Sequence, residues 1–195
     1  MSDKQRVVKI LVIGPIQSGK SSISNFLGQR SEVINKDYRP TAGVRIVEFN
    51  KEAPVNPKRP GQETASVQLW DVSGDSKYDQ TWPAIQKNCQ GCILVFNAEN
   101  PKHEQEIEAW VNAFPKKCGI QPSMLIAFSH FLSGKPVPKT KQRQIKGLPT
   151  VSCYNTSIEE GAETIHPAFD KFFNNLMMNI YEKEEQLENN LIYKY

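Results

Sequence analysis

The chain has 195 residues, 38% of them hydrophobic and 23% charged, with a formal net charge of +3. That length is enough for one domain with one substantial core, and no apolar run approaches the ~20 residues of a membrane helix. So small a charge gives no argument for a nucleic-acid polymer or a membrane surface as partner.

Residues 1–6 and the apolar run Val7–Ile13 look superficially like a leader, but no small-residue cleavage site follows. The run flows instead into Gly14-Pro15-Ile16-Gln17-Ser18-Gly19-Lys20-Ser21, a G-x-x-x-x-G-K-S pattern. Ser22–Leu27 then places apolar residues at helical spacing. Strand, glycine loop and helix together make a phosphate cradle rather than two unrelated turns. Backbone N–H groups and the helix N-terminus point at anionic oxygens, Lys20 adds a positive charge, and Ser21 offers a hydroxyl to Mg²⁺.

Five more strands are expected: Val44–Phe49, Ser66–Asp71, Cys92–Asn97, Met124–Phe128 and Pro149–Tyr154. The fourth and fifth strands of the full set are continuous apolar runs, as strands buried on both faces require. Glu104–Phe114 and Glu163–Tyr181 carry apolar stripes at helical spacing. The fold class is therefore α/β, a mostly parallel six-stranded sheet with helices on both faces and ligand at the strands' C-terminal ends. Lys51–Gly61, with three prolines, reads as an irregular hairpin tip. Ser133–Gly147 holds five basic residues without apolar period and reads as a solvated loop rather than a docking patch. Residues 1–181 form the expected domain, and 182–195 a charged extension of the last helix.

Cys89-Gln90-Gly91-Cys92 has redox or metal spacing but no second pair or histidine cluster beside it. The four cysteines read as small buried thiols in a reducing compartment. The C-terminal residues hold no cysteine and residue 2 is serine, so no lipid anchor is expected.

A phosphate loop alone leaves GTPases, ATPases and small kinases open. Trp70-Asp71-Val72-Ser73-Gly74 ends a strand with a carboxylate, placing Asp71 for the Mg²⁺ shell and the Gly74 N–H for the γ-phosphate. Thr41, after Tyr38-Arg39-Pro40, is placed to close on Mg²⁺ when a γ-phosphate is present. Asn155-Thr156-Ser157 is expected to follow the sixth strand and approach the base.

In order and spacing, these motifs resemble the Ras superfamily of small GTPases, nearest its Rab branch, over residues 7–181. Pro40–Ile46, Trp70–Asp75, Trp82-Pro83-Ala84 and Val95–Ala98 are more narrowly similar to the Rab-like small GTPases of intraflagellar transport complex B. The resemblance implies the P-loop small-GTPase fold and GTP/GDP and Mg²⁺ as ligands. It also implies docking on the complex's coiled-coil core subunits, a monomer outside that complex, and work at the cilium or flagellum, basal body and cytoplasm. It places Gly14, Ile16, Gln17, Ser18, Gly19, Lys20, Ser21, Ser22, Pro40, Thr41, Gly74, Phe128, Ser129, Ser157 and Ile158 at the nucleotide. Metal positions are Ser21, Thr41 and Asp71, the last directly or through water.

Two departures carry consequences. Where the family reads guanine with Asn-Lys-x-Asp, this chain has Phe128-Ser129-His130-Phe131. Without the acidic acceptor, guanine selectivity is expected to be weak. Phe128 and Phe131 either stack on the base or join the core. Asp75 stands at the position of the family's water-orienting glutamine, and Ile16 at that of a glycine. Hydrolysis is thus expected to be weak or absent, with partner binding gated by nucleotide through 29–42 and 72–82. Two further classes remain at this stage, a structural subunit that holds nucleotide without switching, and a P-loop ATPase or nucleoside kinase.

Overall fold

The computed structural model describes residues 5–29, 39–58, 61–97, 99–132, 137–138, 145, 148–160 and 162–192. Its elements run β1 (Val7–Ile13), α1 (Lys20–Leu27), β2 (Val44–Glu52), β3 (Thr64–Val72), α2 (Trp82–Gln86), β4 (Gly91–Asn97), α3 (Pro101–Ala113), β5 (Leu125–His130), β6 (Ser152–Thr156) and α4 (Ile165–Ile192). The sheet order is β2-β3-β1-β4-β5-β6, antiparallel only between β2 and β3.

Alternation along β1 explains why its sequence is apolar throughout. Val8, Ile10 and Val12 face one core with Ile23 of α1 and Phe169, Phe172, Phe173 and Leu176 of α4. Leu11 and Ile13 face a second core with Ile85 of α2 and Ile107, Trp110 and Val111 of α3. Both faces are covered, so neither needs polar residues.

Several element ends differ from the sequence expectation, each for a local reason. α3 begins at Pro101, upstream of the expected Glu104, because the Asn100 side chain accepts from the Lys102 N–H and proline suits the first turn. β2 continues past Phe49 because Asn50, Lys51 and Glu52 keep pairing with Ser66, Ala65 and Thr64. The hairpin tip is correspondingly later than Lys51–Gly61. β5 and β6 both run further than periodicity indicated, with Ser129 opposite Asn155 and His130 opposite Thr156. Asn155 and Thr156 are therefore strand residues, and only Ser157 follows the sixth strand.

Beyond Tyr181, α4 continues to Ile192. Arg6 at the foot of β1 holds this continuation, pairing with Glu63 at 2.7 Å and with Glu184. Tyr181 adds a 3.0 Å hydrogen bond to Glu63. Cys92 and Cys153 are buried, whereas Cys89 and Cys118 are half-buried. The basic stretch 133–147 lies largely outside the described residues, as do 30–38, Ala98 and 193–195.

The core ends where α4 leaves the sheet, since Phe173 is fully buried and Leu187 is 64% exposed. Phe173→Ala is expected to lower the unfolding free energy by about 3–5 kcal/mol, and Leu187→Ala by at most about 0.5 kcal/mol. Urea denaturation of the two variants beside the parent checks both values.

Candidate functional site

The loop between β1 and α1 lies at the C-terminal end of the parallel strands. Gly19 turns into α1 at φ 90°, and no side chain caps the helix among the described residues. The N-terminal N–H groups of α1 are thus aimed at the loop without a side-chain acceptor, the arrangement that receives an anion. Lys20 is buried, and its Nζ donates to the carbonyls of Gly14 at 2.9 Å and Pro15 at 2.6 Å. Ser18 is also buried, its Oγ 3.4 Å from the same ammonium. Ile16, Gln17 and Ser22 stand exposed on the outer side of the loop.

Burial lowers the Lys20 pKa to about 8, while Asp71 opposes that shift. The same burial raises the Asp71 pKa against hydrogen bonds and charges from Ser21, Lys20 and Arg45. Water is excluded from both charges, so a phosphate beside Lys20 or a cation beside Asp71 would be strongly felt.

Three oxygens from distant parts of the chain meet here. Ser21 Oγ donates to Asp71 Oδ2 at 2.6 Å and lies 3.1 Å from Thr41 Oγ1. Asp71 is fully buried, and its Oδ1 has no hydrogen-bond partner among the described residues. Two hydroxyls and a carboxylate are hard donors, and the unsatisfied Oδ1 fits them to a hard cation such as Mg²⁺. Ser21, Thr41 and Asp71 would hold it.

Gly74 packs directly on the phosphate loop. A Cβ there would fall 2.5 Å from the Ile16 nitrogen and 2.6 Å from the Pro15 carbonyl carbon. Only glycine permits that approach. One residue on, the Asp75 carboxylate accepts from the Lys77 N–H at 3.0 Å and pairs with Lys77 Nζ at 2.8 Å. It caps the short 3-10 helix Ser76–Thr81. At the far end of this segment Trp82 packs on Trp110 and Phe114, with centroids 5.6 Å and 4.8 Å away.

The base end of the cleft departs from the sequence expectation. Phe128 is fully buried in the α1–α4 core, with its ring beside Tyr154, and so is not free to stack on a base. The β5 pleat decides this, because alternate residues of a strand face opposite sides. Ser129 is buried too, and its Oγ has no partner among the described residues. Ser157 Oγ accepts from the N–H groups of Glu159 and Glu160 at 3.3 and 3.4 Å, and Ile158 leans on the core. Pro40 is exposed beside Thr41.

Three side chains escape a motif-based reading. His130 Cδ2 lies where a Cβ on Gly19 would come within 2.3 Å, and its Nδ1 is 3.1 Å from Thr156 Oγ1. His103 accepts the Asn97 N–H at Nδ1 over 3.0 Å, and burial lowers its pKa against a smaller opposing effect of the Ile16 backbone. Arg45 reaches both Asp71 Oδ2 and the Ser21 carbonyl at 3.3 Å. None has a local spacing signal, although His130 was visible as an oddity inside Phe128-Ser129-His130-Phe131.

Comparison with known proteins agrees with this geometry. Residues 9–130 match the family model of Roc, Ras of Complex, domain of DAPkinase. The intraflagellar transport protein 22 homolog of Danio rerio is 34% identical over 185 residues, covering 95% of this chain and 98% of the relative. The GTP-bound crystal structure of T. brucei IFT22/74/81 superposes with a TM-score of 0.69 at 29% identity, covering 92% of this chain and 99% of that one. The GDP-bound structure of T. brucei IFT22 gives a TM-score of 0.64 at 31% identity, with coverages of 89% and 97%.

Burial pushes the His130 pKa from 6.5 down to about 4. Below 6.5 the unfolded chain binds a proton that the folded chain refuses until about 4, so stability falls as pH falls through that window. His130 alone should account for about 3 kcal/mol of that loss. Urea unfolding of the parent and of His130→Asn between pH 7 and pH 4 measures it; the variant's stability should depend less steeply on pH.

Proposed function

The chain belongs to the Ras of Complex family of small GTPase domains and, within it, to the intraflagellar transport protein 22 family, and from that premise we propose that it is a GTP- and GDP-binding subunit of intraflagellar transport complex B. The observation that carries this reading is the meeting of Lys20, Ser21, Thr41, Asp71 and Gly74 around one loop at the mouth of the sheet. Lys20 and the α1 N-terminus bind and orient the phosphates, and Ser21, Thr41 and Asp71 hold Mg²⁺. When bound there, the ion would neutralise phosphate charge.

The γ-phosphate is read by two segments. Thr41 closes the first, of which 30–38 lie outside the described residues. The second, 72–82, is anchored on the phosphate loop at Gly74 and on α3 at Trp82. Order in these segments forms the docking surface for coiled-coil core subunits, the class to which we assign the partners. The T. brucei relative crystallised in an IFT22/74/81 assembly supports that choice. We place the protein at the cilium or flagellum, the basal body and the cytoplasm.

Hydrolysis is weak in this reading because the Asp75 carboxylate is committed to Lys77 and to capping a helix. An anionic side chain so engaged orients no water against an anionic phosphate. The same observation favours a second reading, a nucleotide kept as a permanent structural element. Base discrimination is modest, since Phe128 and Phe131 stand at the positions of the family's guanine-reading asparagine and aspartate.

Lys20→Ala should weaken GTP binding by about a hundredfold, the size of a lost charge-assisted hydrogen bond in a buried site. It should also abolish capture of the coiled-coil pair in a GTP-dependent pull-down. Capture that ignores both the variant and the nucleotide selects the second reading. Single-turnover hydrolysis should run below about 10⁻⁴ s⁻¹, slower than an unaided Ras, as followed by chromatography of bound nucleotide.

A further inference from the structure

Arg45 and Asp71 are directly opposed residues in the β2–β3 ladder. The hairpin's register therefore dictates that this guanidinium meets this carboxylate. One nitrogen, Nη2, lies 3.3 Å from Asp71 Oδ2 and 3.3 Å from the Ser21 carbonyl. Oδ2 is the same atom to which the Ser21 hydroxyl donates at 2.6 Å. The pair is inward-facing, with Asp71 wholly buried and Arg45 only 30% exposed at its side chain. Any cation held by Ser21 and Asp71 thus shares its carboxylate with a permanent positive charge.

Charge counting shows what this does. Lys20 and Asp71 alone leave the cluster neutral, and Arg45 brings it to a formal +1. A guanidinium cannot be deprotonated at any pH the fold survives, so the charge is constant. It attracts phosphate oxygens and opposes a divalent ion on the same oxygens.

We propose that Arg45 is a built-in counter-cation of this site, one that shares the Asp71 carboxylate with the metal and so leaves nucleotide retention only weakly dependent on magnesium. The proposal rests on the nucleotide-binding reading above and adds to it the residue that sets the metal dependence. A unit charge acting across a few ångströms of protein is worth about tenfold or more in an equilibrium constant, enough to offset much of a lost ion. Arginine is suited to this place because its fork reaches the carboxylate and a carbonyl together.

The test is release of mant-GDP from the full chain in Mg²⁺ and in EDTA, followed by fluorescence, for the parent, Arg45→Gln and Arg45→Lys. The quantity read is the ratio of the EDTA rate to the Mg²⁺ rate. That ratio should rise by about tenfold or more in Arg45→Gln and stay within about threefold of the parent in Arg45→Lys, which keeps the charge. A general loss of packing moves both rates together and leaves the ratio flat, and an unchanged ratio overturns the inference. Should Arg45→Gln fail to fold, the parent alone decides: EDTA should speed its release by less than about tenfold, and a greater acceleration overturns the proposal. Nucleotide lost at once in both buffers overturns the nucleotide-site reading along with this one, whereas retention with equal ratios overturns this one alone.

Discussion

A fully buried carboxylate, Asp71, is the constraint around which the rest of the site is arranged. Leaving such a charge unpaired costs about 3–5 kcal/mol, so the fold must bring positive charge and hydrogen donors to it. It does so from two elements, with Lys20 and Ser21 from the head of α1 and Arg45 from the neighbouring strand. The sheet register and the helix that follows the phosphate loop are thus energetically tied together. One carboxyl oxygen is still without a hydrogen bond among the described residues, which suits a group that must also serve a ligand.

Two buried histidines stand near the phosphate loop. His103 on α3 receives the Asn97 N–H at the end of β4, and His130 at the end of β5 fills the space against Gly19. Burial keeps both imidazoles away from the protonated form. A neutral ring offers one donor and one acceptor and otherwise packs as a flat apolar plate. Where a guanine-reading protein places an amide and a carboxylate, this chain has Phe128 and Phe131, with the His130 spacer between them packed against Gly19.

The long last helix joins the two ends of the molecule. Arg6, Glu63, Tyr181 and Glu184 tie the foot of β1, the β2–β3 hairpin and α4 into one polar cluster. Burial and hydrogen bonding push the Tyr181 phenol up to about 12. The same hairpin whose far end is fixed here sets the register that pairs Arg45 with Asp71. Distant packing thereby reaches the site through a rigid ladder of backbone hydrogen bonds.

The six strands, the two amphipathic helices and the phosphate loop were legible from residue order, since each is a local pattern of side chains. Lys20, Ser21 and Gly19 are neighbours in the chain, and their chemistry depends on little beyond that adjacency. Thr41 and Asp71 were readable only through motif spacing along the chain, and Phe128 shows the limit of such spacing, because strand pleat turned its ring into the core. The strand ends at His130 and Thr156, the Arg45–Asp71 opposition and the His130–Gly19 contact came from tertiary structure alone. Periodicity reports which face a residue takes, whereas register and contact are set by pairing between segments that the chain holds far apart.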